Sequence, residues 1–552
     1  MKKIFIPLFT ISTLLMSSQI TLAQEGIGFS MESLDQKYLN WYNLGEDRSK
    51  IKGASVDKAY EVLLQGREAK KKIIVAVIDA GVDIEHEDLQ GQIWQNTNEI
   101  PNNGIDDDQN GYIDDIHGWN FIGNSEGENI KYENTEEVRI YRNLRPLFDS
   151  YRSIEEVAED QKEDYTTYLS CKIKYQENRK KYVSYDSNLA KFKKNLELAT
   201  QIVKDYLKVD SLSESILRKS STTDNERASG AKQYLLKRYE QGVDLNAIIE
   251  AKESNDIKLH KYWNLEYTPR DIIADNPDEM YDMTYGNNDV KWERSDHGTF
   301  VAGIIAANRN NALGIDGIAK HVEIMVLRTV PIGDERDKDV ALSIRYAVDN
   351  GANIINMSFG KNYSPQKNMV DEAIKYAEEH NVLMVHAAGN DAVNVDIQDR
   401  FPQGTLNNGY DAKTWINVGA HAMKLNKRFC GTFSNYGHEN VDIFAPGVDI
   451  LSLYPENTYL VASGTSFASP VVSGVAALVW SYYPELSAEE LKNILLESSS
   501  SFAKKKVYYP TKGSDKAKKT RFKNLSKTGG IINAYQALQL AEERLKTVAN
   551  QN

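Results

Sequence analysis

Three residues far apart in the sequence supply a carboxylate, an imidazole and a hydroxyl, each close to glycine. Asp79 lies in VIDAGVD, His297 in SDHGTFVAG and Ser466 in SGTSFASP. A serine hydroxyl becomes an effective nucleophile when a histidine accepts its proton, and an aspartate can hold that histidine in the required tautomer. Asn390, in HAAGN, carries a side-chain amide and also follows a glycine. The set predicts nucleophilic chemistry at an acyl group.

Each of these residues also has a purely structural interpretation. Ser466 precedes an apolar run and could be a helix N-cap, and Asn390 follows a glycine as in many turns. Asp79 could cap the end of a strand, and His297 could cap a helix. Any one motif alone is therefore weak. Three motifs in the order Asp, His, Ser, each with small flanking residues, favour the catalytic interpretation.

The order and the flanking residues resemble those of the subtilisin-like serine proteases, the subtilases. INMSFG, FSNYG and IFAPGVDI resemble other core segments of that family, and GGIINAYQAL resembles its terminal helix. The resemblance covers most of the chain outside an N-terminal leader and a segment between 125 and 290. It implies a catalytic triad of Asp79, His297 and Ser466, with Asn390 in the oxyanion hole.

The same resemblance implies how a substrate binds. An extended protein or peptide substrate would pair with the strand that ends at Gly360 and place its scissile bond at Ser466. The implied substrate-binding residues are Ser358, Phe359, Gly360, Ala388 and Gly389. Ala80 and Phe300 depart from the family, where Thr or Ser and His are frequent at these positions. Neither position carries a proton in the mechanism, so the departures bear on fine specificity and not on activity.

The sequence around the candidate residues predicts the fold that positions them. KIIVAVIDAGVD contains a continuous apolar run that ends in Asp79, as expected of a buried parallel strand with a carboxylate at its carboxyl end. Similar apolar runs occur at 322–330, 352–360, 381–390 and 415–420, and segments with helical periodicity separate them. The alternation predicts an α/β fold, a doubly wound parallel sheet with helices on both faces.

A segment between residues 125 and 290 interrupts this pattern and predicts a mainly helical insertion. Between Phe148 and Ser229 there is no glycine or proline, and apolar residues recur at spacings of three and four from Tyr168 to Tyr206, broken at Asn178. A second helical stretch, 232–253, could fold back on the first. We favour this intrachain hairpin. The alternatives are a coiled coil that mediates self-association and a partly ordered segment.

The acidic stretch NGIDDDQNGYIDDIHGWNF predicts a structural calcium site. Counted from Asp106 as position 1, oxygen-bearing residues recur as in an EF-hand loop, with Gly111 at position 6. The predicted ligands are Asp106, Asp108, Asn110, the backbone carbonyl of Tyr112, and Asp114. His117 occupies position 12, where a bidentate glutamate is usual, so that ligand is missing or is replaced, for example by Asp115. A solvated acidic turn is the alternative.

Composition argues against several classes of protein. A net charge of −13 argues against a nucleic-acid partner, which requires clustered positive charge. The two cysteines, Cys171 and Cys430, are too few for a disulfide scaffold, although a single bridge between them is an alternative to two buried thiols. The basic run 504–527 is interpreted as a solvated loop, with a patch for an anionic partner as the alternative.

The N-terminal text predicts export. Two lysines precede an apolar run, and Leu-Ala precedes Gln24, as at the cleavage site of a signal peptide spanning 1–23. Residues 24–552 would then form the catalytic domain with its insertion. The apolar run is shorter than the roughly 20 residues that a membrane-spanning helix needs. We expect no membrane span, a secreted or periplasmic location, and no separate propeptide between Gln24 and Asp79.

The function predicted from these observations is that of an exported serine endopeptidase. Its substrates would be proteins or peptides, its cofactor a structural calcium ion, and no cofactor would act in the chemistry. The alternative from another class is a non-catalytic, calcium-dependent peptide-binding or surface protein that retains the fold. A scaffold protein has no use for Asp79, His297, Ser466 and Asn390 together, so the enzyme is favoured.

Overall fold

The computed structural model describes residue 30 and residues 36–45, 50–279, 285–512 and 518–551. The predicted signal peptide, 1–23, lies outside the described residues. The chain divides into two compact units. The sheet unit comprises Met1–Lys131 and Arg270–Asn552, and the helical unit comprises Tyr132–Pro269.

The elements are numbered in chain order. The strands are β1 Ile73–Asp79, β2 Gly118–Asn120, β3 Val322–Arg328, β4 Ile354–Met357, β5 Leu383–Ala387, β6 Trp415–His421, β7 Ile443–Pro446, β8 Ile450–Tyr454, β9 Thr458–Ala462, β10 Ser500–Ser501, β11 Lys506–Tyr508, β12 Lys519–Arg521 and β13 Gly530–Ile531. The α-helices are α1 Val56–Val62, α2 Glu136–Phe148, α3 Lys162–Leu207, α4 Glu214–Lys219, α5 Glu226–Tyr239, α6 Leu245–Ile257, α7 Asp296–Ala306, α8 Asp337–Asp349, α9 Lys367–Glu379, α10 Thr465–Tyr482, α11 Ala488–Glu497 and α12 Ala534–Gln551.

Within the described residues, nine strands form one sheet in the order β10-β13-β7-β6-β5-β4-β1-β3-β2. Neighbouring strands are parallel except for β10 and β13. Val75 and Val77 of β1 belong to the core that contains α7 and α10, whereas Ala76 and Ile78 belong to the core that contains α8 and α9. Both faces are covered, which explains why the strands read as continuous apolar runs. The predicted α/β fold class, with helices on both faces of a parallel sheet, is confirmed.

The candidate residues lie where elements begin or end. β1 is central, between β3 and β4, and Asp79 is its last residue. His297 is the second residue of α7, Ser466 is the second residue of α10, and Asn390 follows β5. The carboxyl ends of parallel strands, where the strand order changes direction, are the usual location of binding sites in open α/β sheets.

Helix α10 is enclosed by the sheet unit. All of its residues are buried except Ser466, which is half-buried at the N-terminal end. Burial on every side therefore explains the apolar sequence that follows Ser466. The buried helix also gives Ser466 a rigid support. A serine at the one accessible position of an otherwise buried helix is well placed to meet a ligand.

The helical unit is built around α3, which is 46 residues long. Its buried residues form a stripe along the helix: Tyr165, Tyr168, Cys171, Tyr182, Leu189, Leu196, Ala199 and Val203. Leu196 and Val203 share an apolar cluster with Leu235 of α5 and Ile248 of α6. Toward its N-terminus, α3 packs against α2, where the rings of Tyr141 and Tyr168 lie 5.7 Å apart. The stripe on α3 thus has helical partners inside the same chain.

Buried charges anchor the segment that follows the helical unit. Lys338 forms an ion pair with Asp275, and Arg270 pairs with Asp339; all four side chains are buried. Buried charges are tolerated when they are paired in this way, and losing one partner is strongly destabilising. Residues 270–290 therefore belong to the sheet unit, and the compact helical unit is shorter than the 125–290 segment predicted from the sequence.

The two cysteines are separate. Cys171 and Cys430 are both buried and free. Burial raises the pKa of the Cys430 thiol well above its usual range, so this residue stays protonated and unreactive. Among the helices of the described residues, none has the length and apolar character needed to cross a membrane.

Candidate active site

Asp79 and His297 form a hydrogen-bonded pair at the carboxyl end of β1. The Nδ1 atom of His297 lies 2.8 Å from Asp79 Oδ1 and 3.0 Å from Asp79 Oδ2. Burial lowers the pKa of His297, but the charge of Asp79 and its hydrogen bond raise it, and the resulting pKa is above the usual histidine value. The carboxylate accepts the Nδ1 proton, so Nε2 is the nitrogen that remains for proton transfer.

Close packing brings α7 and α10 to this pair. A Cβ atom at Gly298 would lie 2.1 Å from the carbonyl oxygen of Gly81, so only glycine permits the approach of α7 to the segment after β1. The ring of Phe467 lies 5.6 Å from the His297 ring and 4.2 Å from the Phe300 ring. The N-terminus of α10 therefore contacts the imidazole, and Phe300 fills the core beside it.

The backbone of Ser466 is held by a side chain from the sheet. Pro470 lies four residues further along α10 and has no N–H, so the helix cannot satisfy the carbonyl of Ser466. Instead, Ser358 Oγ donates to Ser466 O at 2.9 Å. Asn356 Nδ2 donates to Ser358 Oγ at 2.9 Å, and Asn356 Oδ1 accepts from Ser469 of α10 at 3.0 Å. A buried polar network thus locks the first turn of α10 onto β4.

Asn390 is oriented by the residue before Ser466. The backbone N–H of Thr465 donates to Asn390 Oδ1 at 2.8 Å, and Thr465 Oγ1 donates to the same oxygen at 3.0 Å. The N–H of Gly389 donates to Thr465 Oγ1 at 3.1 Å. Because Oδ1 is occupied, the Nδ2 group of Asn390 is the part of the amide that remains to donate to a ligand.

The predicted substrate-binding residues lie on two segments beside α10. Ser358 contacts Ser466 through its hydroxyl, and Phe359 O accepts a hydrogen bond from His386 Nε2 at 2.9 Å. Burial lowers the pKa of His386 to about 4, so the imidazole is a neutral donor at ordinary pH. This bond fixes the carbonyl of Phe359 and therefore the course of the chain into Gly360.

The second segment comprises Ala388 and Gly389. Asn435 Nδ2 donates to the carbonyl of Ala388 at 2.8 Å. Gly389 has a φ of 102°, in the left-handed region that favours glycine, and a Cβ atom there would lie 2.4 Å from Asn435 Nδ2. The structure thus brings Asn390 to the N-terminus of α10 through a turn that needs this glycine.

Several of these contacts were not predicted. Asn356 and His386 interrupt otherwise apolar strand text, and a polar residue inside a buried run is a signal that could have identified them. Asn435 and Thr465 carry no comparable signal, because each lies in a sequence typical of turns. The positioning residues are recognisable only from their tertiary hydrogen bonds.

The acidic loop brings three carboxylates together. Ligand oxygens of Glu99, Asp106 and Asp108 all lie within 4.8 Å of one another. Glu99 is buried and accepts hydrogen bonds from the amides of Asp107, at 2.9 Å, and Asp114, at 3.0 Å. Glu99 was not among the residues predicted from loop positions, because it precedes the loop.

The remaining predicted ligands have other contacts. Asp114 accepts hydrogen bonds from the amides of Asn103, at 3.1 Å, and Gly104, at 2.8 Å. Asn110 Nδ2 donates to Asp108 Oδ2 at 3.3 Å, so it stays beside the cluster. The side chain of Tyr112 is buried and stacks edge-on against Tyr346. His117 Nδ1 is bonded to the carbonyl of Trp94 at 2.8 Å.

Comparison with known proteins agrees with the geometry. The sequence profile of the subtilase family, peptidase S8, matches residues 70–528. Subtilisin DY of Bacillus licheniformis is 38% identical over 202 residues, which are 36% of this chain and 68% of that protein. The thermophilic serine proteinase of Bacillus sp. strain AK1 is 38% identical over 186 residues, 34% of this chain and 42% of that protein.

Among solved structures, that of the subtilase cytotoxin SubAB assembly has 27% sequence identity and a TM-score of 0.38, covering 47% of this chain and 80% of that chain. The family match extends on both sides of the helical unit and includes Asp79, His297, Asn390 and Ser466. The chain therefore belongs to the subtilase family of serine proteases.

Proposed function

We propose that this protein is an exported serine endopeptidase in which Asp79, His297 and Ser466 form the triad. The hydrogen bond between Asp79 and His297 carries the proposal, together with the position of the His297 ring 5.6 Å from the ring of Phe467, the residue after Ser466. Protein or peptide chains are its substrates. The matched relatives are named as subtilisins or proteases, and this chain covers as little as 22% of their length, so endopeptidase activity is our inference from the site.

The proposed reaction follows from the groups present. Ser466 Oγ attacks the scissile carbonyl while His297 Nε2 accepts its proton. The Asp79 carboxylate stabilises the imidazolium that results. The oxyanion binds to Asn390 Nδ2 and to the backbone N–H of Ser466 at the start of α10. His297 then gives its proton to the leaving amine, and water repeats the sequence on the acyl-enzyme.

A fluorophosphonate probe tests this proposal directly, since it reacts only with an activated serine. The purified wild-type protein should be labelled at Ser466, and labelling should be lost when His297 is replaced by alanine. The Ser463→Ala variant is the matched control, because Ser463 lies three residues away and its hydroxyl bonds to the Asp449 amide at 2.8 Å. A wild-type protein that stays unlabelled would favour the non-catalytic peptide-binding alternative.

Asn390→Ala is expected to lower kcat by roughly 10² to 10³-fold with little change in KM, because the amide acts on charge that exists only in the transition state. This is the size measured for the corresponding amide in subtilisin itself. Steady-state kinetics on a chromogenic peptide would measure it.

Asn390→Asp separates the two functions of this side chain. It keeps an oxygen for the Thr465 amide but removes the donor, so its kcat should fall at least as far. If kcat stays near the wild-type value in both variants, Asn390 is only a structural residue.

We further propose that the acidic loop binds a structural calcium ion. Glu99, Asp106 and Asp108 present carboxylate oxygens that converge within 4.8 Å, and Ca²⁺ prefers six to eight such oxygen ligands. Asn110 and the backbone of Tyr112 remain the other candidate ligands, while the contacts of Asp114 with two amides favour a role in shaping the loop. When bound, the ion would neutralise the clustered charge after β1.

Calcium is therefore expected to raise the melting temperature, and a chelator to lower it. A ligand that binds only the folded state stabilises it by about 2.7 kcal/mol at a hundredfold excess over Kd. Magnesium should stabilise the protein less, because it requires tighter octahedral geometry. Thermal melts with calcium, magnesium or chelator would measure this.

The matched variants are Asp106→Asn combined with Asp108→Asn, and Asp107→Asn alone. The first pair removes charge from the cluster and should abolish the response to calcium. Asp107 lies between these residues but bonds to the Ile100 amide at 3.0 Å, so its variant should still respond. Equal melting temperatures with and without calcium in the wild-type protein would show that the loop is a solvated turn.

Export through residues 1–23 and a secreted or periplasmic location are part of the same proposal, based on the N-terminal text alone. Self-association through the helical unit remains a prediction. The packing of α3 against α2, α5 and α6 favours the intrachain interpretation of its apolar stripe.

A further inference from the structure

Arg400 lies between the two segments that flank the N-terminus of α10. The next residue, Phe401, forms an antiparallel bridge with Lys361, with hydrogen bonds of 2.9 and 3.0 Å between their backbones. A Cβ atom at Gly360 would lie 3.1 Å from the carbonyl oxygen of Phe401. On the other side, Arg400 Nε donates to Asp391 Oδ2 at 3.2 Å, and Asp391 directly follows Asn390. Arg400 thus spans the gap between the Gly360 and Asn390 segments.

A substrate that reacts at Ser466 must send one side chain into this gap. Its scissile carbonyl has to reach both Ser466 and Asn390, and its backbone runs beside residues 358–360, which follow β4. The side chain of the residue just before the scissile bond, P1, then enters between Gly360 and Gly389. Neither glycine offers a side chain to close the gap, which leaves room for P1 to approach the Arg400 side chain.

Arg400 and Lys512 together leave one positive charge in excess of the Asp391 carboxylate that they share. Asp391 is shared between two cations, Arg400 at 3.2 Å and Lys512 at 3.3 Å. The Arg400 side chain is only 11% exposed, whereas Asp391 is 47% exposed. Arg400 Nη1 donates to the carbonyl of Asp399 at 2.8 Å, and within the described ranges Nη2 has no hydrogen-bond partner. A largely buried guanidinium with an open N–H is well suited to bind a carboxylate.

We propose that Arg400 determines substrate specificity and selects chains with aspartate or glutamate at P1. The proposal rests on the proposed function and adds its substrate class. In the free enzyme Asp391 pairs with the guanidinium; a substrate carboxylate replaces or joins this contact, while Lys512 keeps Asp391 neutralised. Asp391 therefore competes with the substrate for Arg400 and limits the affinity for acidic side chains.

The test uses chromogenic peptides that are identical except at P1, where they carry Glu, Asp, Gln, Phe or Lys. Wild-type kcat/KM should be roughly 10- to 100-fold higher for Glu or Asp than for Gln, the range expected from a hydrogen bond to a charged group. Arg400→Gln should abolish this difference, and Arg400→Glu should move the preference to Lys. Asp391→Asn should increase the preference for Glu or Asp over Gln, because the competing carboxylate is gone.

Arg428→Gln is the matched control, since Arg428 is exposed and its amide bonds to Asn426, outside the site, and it should keep the wild-type profile. Equal wild-type kcat/KM for Glu and Gln would overturn the proposal, whether or not the variants fold. Fluorophosphonate labelling of the same preparations separates the two claims. A labelled enzyme without acidic preference would contradict only the role of Arg400, whereas an unlabelled protein that cleaves none of the peptides would contradict both.

Discussion

Replacing Ser466 by alanine is expected to lower kcat by about 10⁶-fold, the size measured for loss of the nucleophilic serine in subtilisin. Without the hydroxyl there is no atom to form the acyl-enzyme, and Asp79 and His297 cannot compensate. Residual hydrolysis would come from water positioned near Asn390 and the α10 N-terminus. The measurement is single-turnover and steady-state cleavage of one peptide by purified protein.

The same substitution should leave the fold unchanged. Ser466 is half-buried, and its contact with Ser358 uses the backbone carbonyl, which alanine keeps. The melting temperature should therefore stay within the error of the wild-type value. Ser463→Ala provides the comparison for a nearby serine. Cleavage by the Ser466→Ala variant at the wild-type rate would exclude Ser466 as the nucleophile.

Replacing Asp79 by asparagine is expected to lower kcat by about 10⁴-fold, as for the corresponding change in a serine protease triad. An asparagine amide can donate to Nδ1 and so favour the wrong tautomer of His297, and it cannot stabilise the imidazolium. Both losses act on the chemical step, so KM should change little. Peptide kinetics at the pH optimum would measure the effect.

The pH profile should change in a direction set by the pKa of His297. Only the neutral imidazole accepts a proton, so activity is lost as pH falls through this pKa. In the wild-type protein burial lowers the pKa of His297, but the charge of Asp79 and its hydrogen bond raise this pKa by a larger amount. The acid limb of the pH profile therefore lies above the usual histidine pKa. Asp79→Asn removes the raising influence and keeps the burial, so the acid limb should move to lower pH while the plateau falls.

Asp296→Asn is the control for this effect. Asp296 precedes His297 and raises its pKa through charge alone, without a hydrogen bond to the ring. Its variant should shift the acid limb slightly in the same direction and keep most of the plateau rate. An unchanged acid limb in Asp79→Asn would contradict the assignment of Asp79 as the partner of His297.

Much of the fold and the main candidate residues of the site were predictable because they depend on local sequence patterns. Buried parallel strands read as continuous apolar runs, which identified β1 and β3 to β6, and Asp79 stood at the end of the first. The three motifs could be recognised because each combines a reactive side chain with glycine. The order of strands in the sheet was not predicted, since it is decided by contacts between distant segments.

The positioning contacts could not be read from spacing. Pro470 frees a carbonyl that Ser358 satisfies, and the two residues belong to different elements. The loop positions of Asp106 and Asp108 were predicted, but the partner acid is Glu99, and the direction of Asp114 is set by the amides of 103 and 104. Counting loop positions identifies the candidate ligands but does not predict where their side chains point.

The placement of the helical unit within the chain has a consequence for folding. Asp79 and His297 are 218 residues apart in sequence, so their contact closes a long loop, and loop-closure entropy rises only slowly with length, by about 0.6 kcal/mol for each doubling. A helical unit with mostly local contacts can fold early and shorten that loop before the pair forms. Since Ser466 leaves the ribosome later still, an incomplete chain holds the acid and the base but no nucleophile. Hydrolysis at the proposed site thus has to wait until Ser466 has been synthesised, later in the chain than the helical unit and strands β1 to β9.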